Sequence, residues 1–263
     1  IATEVLAWDD PSARWERFDL VVVRSTWDYP ERHDEFVTWA DLVRTQTLLA
    51  NPAPVLRWNT DKRYLAELQA AGVPVVPTTF LVPSDPVDLG PEGVELVVKP
   101  AVSAGSQDTA RHLPGERAQA EQHAAALLAD GRVVMVQPYQ AGIDEHGETA
   151  LVYLGGELSH GMRKGPLLQP GAAPVEALFA AEQMSVRVPS DGERAVAGQV
   201  LEVLAGLPDG GSILYARIDV LPGPDGRPVV LEVELTEPSL FLAHVPRAAD
   251  RFAAAIVARL GRP

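Results

Sequence analysis

Four charged side chains toward the C-terminal end of the chain carry the strongest chemical signal. Tyr215-Ala216-Arg217-Ile218-Asp219-Val220 is followed by a Pro/Gly/Asp turn, then by Val229-Val230-Leu231-Glu232-Val233-Glu234-Leu235. Apolar and polar residues alternate with a period of two, which predicts a β-hairpin. Ile218, Val220, Val229, Leu231, Val233 and Leu235 are expected on one face, and Arg217, Asp219, Glu232 and Glu234 on the other. A turn centred between Asp225 and Gly226 sets Asp219 opposite Glu232 and Arg217 opposite Glu234. Three carboxylates and one guanidinium then crowd one patch of sheet. Like charges directly across a sheet are destabilising unless something cationic sits between them. A hard divalent ion such as Mg²⁺ suits that place, because it prefers carboxylate oxygens and shares its shell with phosphates. The competing reading of the hairpin alone is a solvated outer face with ordinary acids.

Rigid elements must position such a patch, and the chain divides into three zones that can supply them. In the first, Phe18–Val23 is an apolar run of strand length, followed by Arg24-Ser25-Thr26-Trp27-Asp28-Tyr29. Glu31 to Ala50 then carries Phe36, Trp39, Leu42 and Val43 at helical spacing, which makes a strand–loop–helix unit of α/β type. In the second zone Thr60 is placed to cap a helix from Asp61 to about Ala71, stopped by Gly72 and Pro74. Strands are expected at Val75–Val82, Val94–Lys99 and Val133–Val136, with a helix over Glu116–Ala129. The third zone holds a hairpin around Gly155-Gly156, a helix with Val196, Val200, Val203, Leu204 and Leu207 on one face, the charged hairpin, and a closing helix through Phe252, Ile256, Val257 and Leu260.

Bulk properties narrow the class. The 263 residues suffice for a large core and two or three subdomains. A hydrophobic content of 46% with 22% charged residues is that of an ordinary globular protein. The formal net charge of −14 argues against nucleic-acid or anionic-membrane partners. With no cysteine, disulfides, thiolate metal sites and cysteine nucleophiles are excluded. No apolar run approaches a membrane span and no signal peptide is visible. Ile1 opens the sequence without an initiator Met, so an incomplete N-terminus is expected and a targeting peptide stays open. A cytoplasmic enzyme is the default expectation, and a homodimer is allowed for.

Phosphate-binding features are present in an unusual form. There is no Walker A loop and no Gly-x-Gly-x-x-Gly after a strand. Instead Leu96-Val97-Val98-Lys99-Pro100 runs into Ala101-Val102-Ser103-Ala104-Gly105-Ser106. Such a small-residue loop lets backbone N–H groups approach phosphate oxygens, while the lysine supplies a point charge. A lysine ending a strand is otherwise a surface residue, and Lys62 reads both ways too. Val136-Gln137-Pro138-Tyr139 ends a further apolar strand with a hydrogen-bonding side chain, as an adenine edge requires, or is simply a loop junction.

Taken in order, Asp61-Lys62, the strand ending at Lys99, the small-residue loop, the Gln137-Pro138-Tyr139 junction and the Asp219…Glu232-x-Glu234 hairpin resemble the ATP-grasp ligase superfamily. The resemblance covers the chain from about Phe18 onward. It implies a mixed α+β and α/β architecture: an ATP-grasp fold of two α+β lobes clamping ATP, preceded by a truncated pre-grasp α/β domain. The corresponding divisions are 1–56 for the pre-grasp domain, 57–140 for the first lobe and hinge, and 141–263 for the second lobe with the metal site. By position Lys62 and Lys99 look like the pair of ATP-phosphate lysines. Ser103, Gly105 and Ser106 lie in the loop that closes over the phosphates, and Gln137 and Tyr139 match the adenine hinge. Asp219, Glu232 and Glu234 match the acidic ligands of Mg²⁺, although the superfamily usually has Asn where Glu234 stands. Thr236, Pro238 and Ser239 fit the segment that often contacts substrate.

Arg24-Ser25-Thr26-Trp27-Asp28-Tyr29, Asn51-Pro52, Trp58-Asn59-Thr60-Asp61-Lys62 and Tyr64-Leu65 further resemble the branch containing cyclo-ligases that close O-ureido-serine to the antibiotic cycloserine. Glu148 and Ser159–Gly165 fit the same branch and place Glu148 among the nucleotide-binding residues. The implied reaction transfers the ATP γ-phosphate to a carboxylate, and a nitrogen then displaces the phosphate. Phosphoryl transfer depends on positioning and on neutralising charge. Arg217, with Arg163 or Lys164, is the implied stabiliser of the transferred phosphoryl group. Arg24, Ser25 and Asp28, with Thr236 and Ser239, are the candidate contacts for a small amino-acid-like substrate, although Arg24 and Asp28 can equally pair with each other. An intermolecular carboxylate–amine ligase and a non-catalytic nucleotide-binding regulator remain as alternatives. His160 and His244 lack a second ligand at metal spacing. Trp15, Trp39 and Trp58 read as packing anchors.

Overall fold

In a computed structural model of the protein, residues 1–168 and 183–261 are described. β1 (Leu20–Val22), α1 (His33–Val43) and β2 (Leu48–Ala50) open the chain, and β1 pairs with β2 in parallel. The sequence expectation of helical spacing through Ala50 ends early. Leu49 and Ala50 are buried as a strand beside β1, so the period-3.6 pattern stops at Val43. Trp8, Trp15, Phe36 and Trp39 pack edge-on and tilted in one cluster over this unit, the anchoring role expected of Trp15 and Trp39.

The helix expected from Asp61 to about Ala71 is present as α3 (Tyr64–Ala70), starting three residues later, and a further short helix, α2 (Ala53–Asn59), precedes it. Thr60 closes α2 instead of capping α3: its backbone N–H donates to Leu56 O and its hydroxyl donates to Arg57 O at 3.3 Å. The reason is Asn59. Its amide donates to Val233 O at 2.7 Å and accepts from Leu235 N–H at 2.7 Å, which fixes the end of α2 against the charged hairpin.

β3 (Thr79–Leu81), β4 (Leu96–Pro100), β5 (Ala110–His112), α4 (Arg117–Ala129) and β6 (Val134–Pro138) follow. The sheet runs β3-β6-β4-β5, all antiparallel, with Ala120, Ala124 and Leu127 of α4 on Val98, Val134 and Val136. The remaining elements are α5 (Gly142–His146), β7 (Glu148–Leu154), β8 (Glu157–Lys164), β9 (Met184–Arg187), α6 (Asp191–Ala205), β10 (Tyr215–Pro222), β11 (Pro228–Glu234) and α7 (Ala248–Arg259). They build an antiparallel sheet in the order β11-β10-β7-β8-β9. Leu68 of α3 and Val200 and Leu204 of α6 share one buried cluster with Leu151, Ile218, Val230 and Val233. Among the described residues no helix is long and apolar enough to cross a membrane.

The charged hairpin has the predicted register at its functional end: Arg217 faces Glu234 and Asp219 faces Glu232. Beyond Asp219 the register shifts, so Val220 faces Val230 and Pro222 faces Pro228. This β-bulge overturns the predicted facing of Val229 and Leu231. Val230 is the fully buried core residue and Leu231 turns to the cavity between the two sheets. An extra residue on one strand reverses the alternation on its far side.

Candidate active site

Strand β11 presents Glu232 and Glu234 to a cavity of about 290 Å³ between the four- and five-stranded sheets. The charge crowding expected from the sequence is real, and protein cations answer it. Arg217 donates from Nε and Nη2 to Asp219 at 2.9 Å each, and from Nη2 to Glu234. Lys164, at the end of β8, donates to Asp219 Oδ2 and Glu148 Oε2 at 3.0 Å each. Lys62 reaches Glu232 Oε1 at 3.2 Å. Burial works against ionising Asp219, but Arg217 and Lys164 outweigh it and hold its carboxyl below the usual range. Burial likewise opposes ionisation of Glu232, and Lys62 and Lys99 win there too. At Glu234 burial prevails over Arg217, and the pKa is pushed up to about 7.

The opposite wall comes from β4 and the loop after it. Lys99 is buried and its side chain makes no hydrogen bond or ion pair with the described residues. Burial lowers its pKa, with Glu232 pulling the other way. Lys62 donates to Ser103 O at 2.7 Å and contacts Ser103 Oγ at 3.2 Å, so it ties the small-residue loop to Glu232. Gly105 and Ser106 take φ of 60° and 61°, and this left-handed turn brings both residues onto the cavity wall. At the end of β6 Gln137 is buried, donating to Thr78 Oγ1 at 2.8 Å. The Tyr139 hydroxyl donates to Asp144 at 2.6 Å, and the Arg111 guanidinium lies 3.5 Å from the centre of its ring.

The structure thus gathers the expected nucleotide residues, together with Lys164, Arg217, Glu232, Glu234 and Ser239, around one cavity. Other expected residues lie elsewhere. Asp219 is not on the cavity wall; it lies beneath Arg217 and Lys164, 1% exposed. Arg163 donates to His146 O at 2.8 Å and Glu145 O at 3.3 Å at the end of α5. Neighbouring residues on a strand point to opposite faces, so only Lys164 of that pair faces the site. Asp28 does not pair with Arg24: it accepts from the Trp8 indole N–H at 3.1 Å. Ser25 is exposed outside the cavity, and Thr236 is buried against Asn59. Sequence reasoning missed Glu237, which lines the cavity, and also Trp27 and Phe241. The one signal for Glu237 is its place directly between Thr236 and Pro238 in a segment already singled out.

The donor set can be tested against Mg²⁺. Among the described residues no three His, Cys, Asp or Glu side chains converge to form a closed metal cage. Mg²⁺ is usually held by one or two carboxylates plus substrate phosphates, and Glu232 and Glu234 supply that pair of hard oxygens on the cavity wall. The residues fit such an ion, with Asp219 behind them.

Known proteins place this geometry. Residues 1–51 match the family model described as D-cycloserine synthetase DcsG, N-terminal domain. Cycloserine biosynthesis protein DcsG of Streptomyces lavendulae is 40% identical over 270 residues, covering 99% of this chain and 89% of that protein. The crystal structure of D-cycloserine synthetase DcsG superposes with a TM-score of 0.87 at 40% identity, over 98% of this chain and 89% of that one. A D-alanine–D-alanine ligase from Bacillus anthracis shares the fold with a TM-score of 0.61 at 16% identity, over 92% of this chain and 80% of that one. The ATP-grasp ligase PsnB, complexed with a minimal precursor, does so at 0.58 and 18% identity, over 92% and 79%.

Proposed function

The chain belongs to the family of the D-cycloserine synthetase DcsG, an ATP-grasp ligase family, and on that premise we propose that its cavity is where ATP activates the carboxylate of O-ureido-D-serine for ring closure. One observation carries the reading. Lys99, a buried cation without a protein partner among the described residues, faces two carboxylates across a cavity, as a metal-bound polyphosphate requires. In this reading residues 1–56 form the pre-grasp domain, 57–140 the first lobe and hinge, and 141–263 the second lobe.

Lys62 and Lys99 bind phosphate oxygens, and the Ser103–Ser106 loop offers backbone N–H groups to them. Gln137 and Tyr139 flank the adenine. Glu232 and Glu234 would hold Mg²⁺, with Asp219 behind them fixing Arg217 and Lys164. The ion, when bound, supplies charge neutralisation to the transferring phosphoryl group. Lys164 and Arg217 face the transferred group and stabilise the charge that develops on it. The substrate carboxylate oxygen attacks the γ-phosphorus and gives an acyl phosphate and ADP. The ureido nitrogen bonded to oxygen then attacks the acyl carbon: the N–C bond forms, phosphate leaves with the C–O bonding pair, and the nitrogen loses its proton. The carbamoyl group left on the ring nitrogen is lost to water. Holding both reacting ends in one cavity supplies the intramolecular advantage.

The test is release of ADP and phosphate from ATP and Mg²⁺ with O-ureido-D-serine as sole acceptor. Stoichiometric cycloserine is the expected product. Turnover only when a second, amine substrate is added would instead identify an intermolecular ligase. ATP binding without release under any acceptor would identify a non-catalytic nucleotide-binding protein.

A further inference from the structure

Among the described residues four carboxyl groups line the cavity, and three are engaged by protein cations: Glu148 by Lys164, Glu232 by Lys62 and Glu234 by Arg217. Glu237 is the exception. It is 9% exposed, lines the cavity, and makes no hydrogen bond or ion pair with the described residues. A buried carboxylate without a partner costs several kcal/mol and takes up a proton instead, so its ionised form is held only where a ligand supplies the counter-charge.

A second observation lies on the loop after β1. Arg24 Nη1 and Thr26 Oγ1 are buried with no hydrogen-bond partner. The Arg24 guanidinium sits 5.5 Å from the Tyr215 ring centre and 5.9 Å from that of Phe252, where Glu237 acts on its charge without forming an ion pair. Glu237 also acts on the Tyr29 hydroxyl, whose oxygen lies 3.4 Å from Ser103 O. Glu237 shares the cavity with Trp27 of the loop after β1 and with the Ser103–Ser106 loop after β4. Unsatisfied polar groups of both signs remain there while the neighbouring hairpin has closed its own charges.

Resting on the reading of the cavity given above, we propose that Glu237 holds the free α-ammonium group of the amino-acid substrate and so selects an α-amino acid over the same carboxylate without the amine. The amine takes no part in ring closure, yet it sits two bonds from the carbon being activated. Its counter-ion must therefore lie beside the phosphate wall and be free of protein cations, and Glu237 meets both conditions. A carboxylate in a cavity that is also lined by Phe241 and Ser239 suits an ammonium. A dication would draw further hard oxygens.

The experiment compares wild type and Glu237→Gln in steady-state ADP release, with O-ureido-D-serine and with its des-amino analogue, 3-(ureidooxy)propanoate. Wild type should favour the amino acid by on the order of 10²-fold in kcat/KM. Glu237→Gln should raise KM for the amino acid by a similar factor, leave the analogue unchanged, and keep the half-saturating Mg²⁺ and ATP concentrations. A shifted Mg²⁺ requirement would overturn the assignment in favour of a metal ligand. A fall in kcat with both compounds at unchanged KM would overturn it in favour of a role in chemistry. Equal use of the two compounds by wild type overturns it without any variant, so a poorly folded Glu237→Gln does not protect it. Wild type that turns over neither compound defeats the cyclo-ligase reading itself, whereas full turnover without discrimination defeats only the Glu237 assignment.

Discussion

The two walls of the cavity treat charge in opposite ways. On the hairpin wall Arg217, Asp219, Glu234 and Lys164 satisfy one another, each acid touching a cation from the same sheet. On the facing wall Lys99 has no ion-pair partner among the described residues. Glu237, also on the cavity wall, has no ion-pair partner among the described residues. The hairpin is thus pre-organised by its own network, at the cost of burying it. The other positions keep ionisable groups whose partners a nucleotide and an amino acid would bring.

The contrast can be broken most severely at Glu232, the carboxylate that faces both walls. Glu232→Gln should lower Mg²⁺-dependent ADP release by ~10²-fold or more while the circular dichroism spectrum stays native. Near-normal turnover would remove the metal from this wall. Arg217→Ala should act on folding before chemistry, because it leaves Asp219 buried without its bidentate partner. A loss of ~3–5 kcal/mol in denaturant unfolding is expected, and an unchanged midpoint would mean that Lys164 alone neutralises the acid. Lys99→Ala should do the reverse. It should raise the KM for ATP by about 10-fold or more, the cost of one charge-assisted contact, yet keep or raise Tm without ligand. A Tm drop like that of Arg217→Ala would show that Lys99 is already paired in the free protein.

The smallest effect is a pH dependence. Burial, together with Glu234, pushes the Glu237 pKa from 4.5 up to about 8. The folded state then holds a proton that the unfolded chain has released, so this group weakens stability as pH rises from about 4.5 to about 8. Below that window both states are protonated and the group contributes nothing. Glu237→Gln should therefore match wild type in Tm near pH 4.5 and exceed it near pH 8. Parallel Tm curves across this range would show that Glu237 is not desolvated.

How much was legible depends on whether a feature repeats. The Arg217/Asp219 and Glu232/Glu234 pairs were readable because two polar residues alternate with core residues on both strands, and the turn fixes their register. The bulge was not, because Val229-Val230-Leu231 is uniformly apolar and carries no phase. Lys62 and Lys99 were legible as chain-order matches, but nothing local showed that one would be paired and the other not. Arg163 and Lys164 are adjacent cations, and only the direction of β8 separates a cap on α5 from a site residue. Glu237 has no periodic partner, so its sequence surroundings did not announce it.

The sequence by itself determined the α/β opening unit, the two hairpins, the amphipathic helices and the family. These rest on local periodicity, turn residues and ordered motifs, which any short window of chain carries. Only the tertiary structure decided which charges are spent on one another and which face the cavity. Asp219 sank beneath Arg217 and Lys164, Leu231 turned inward at the bulge, and Glu237 was left without a cation among the described residues. Ion pairing and desolvation depend on contacts between elements far apart in the chain, such as Lys62 with Glu232. That information exists only once the sheets have closed on each other.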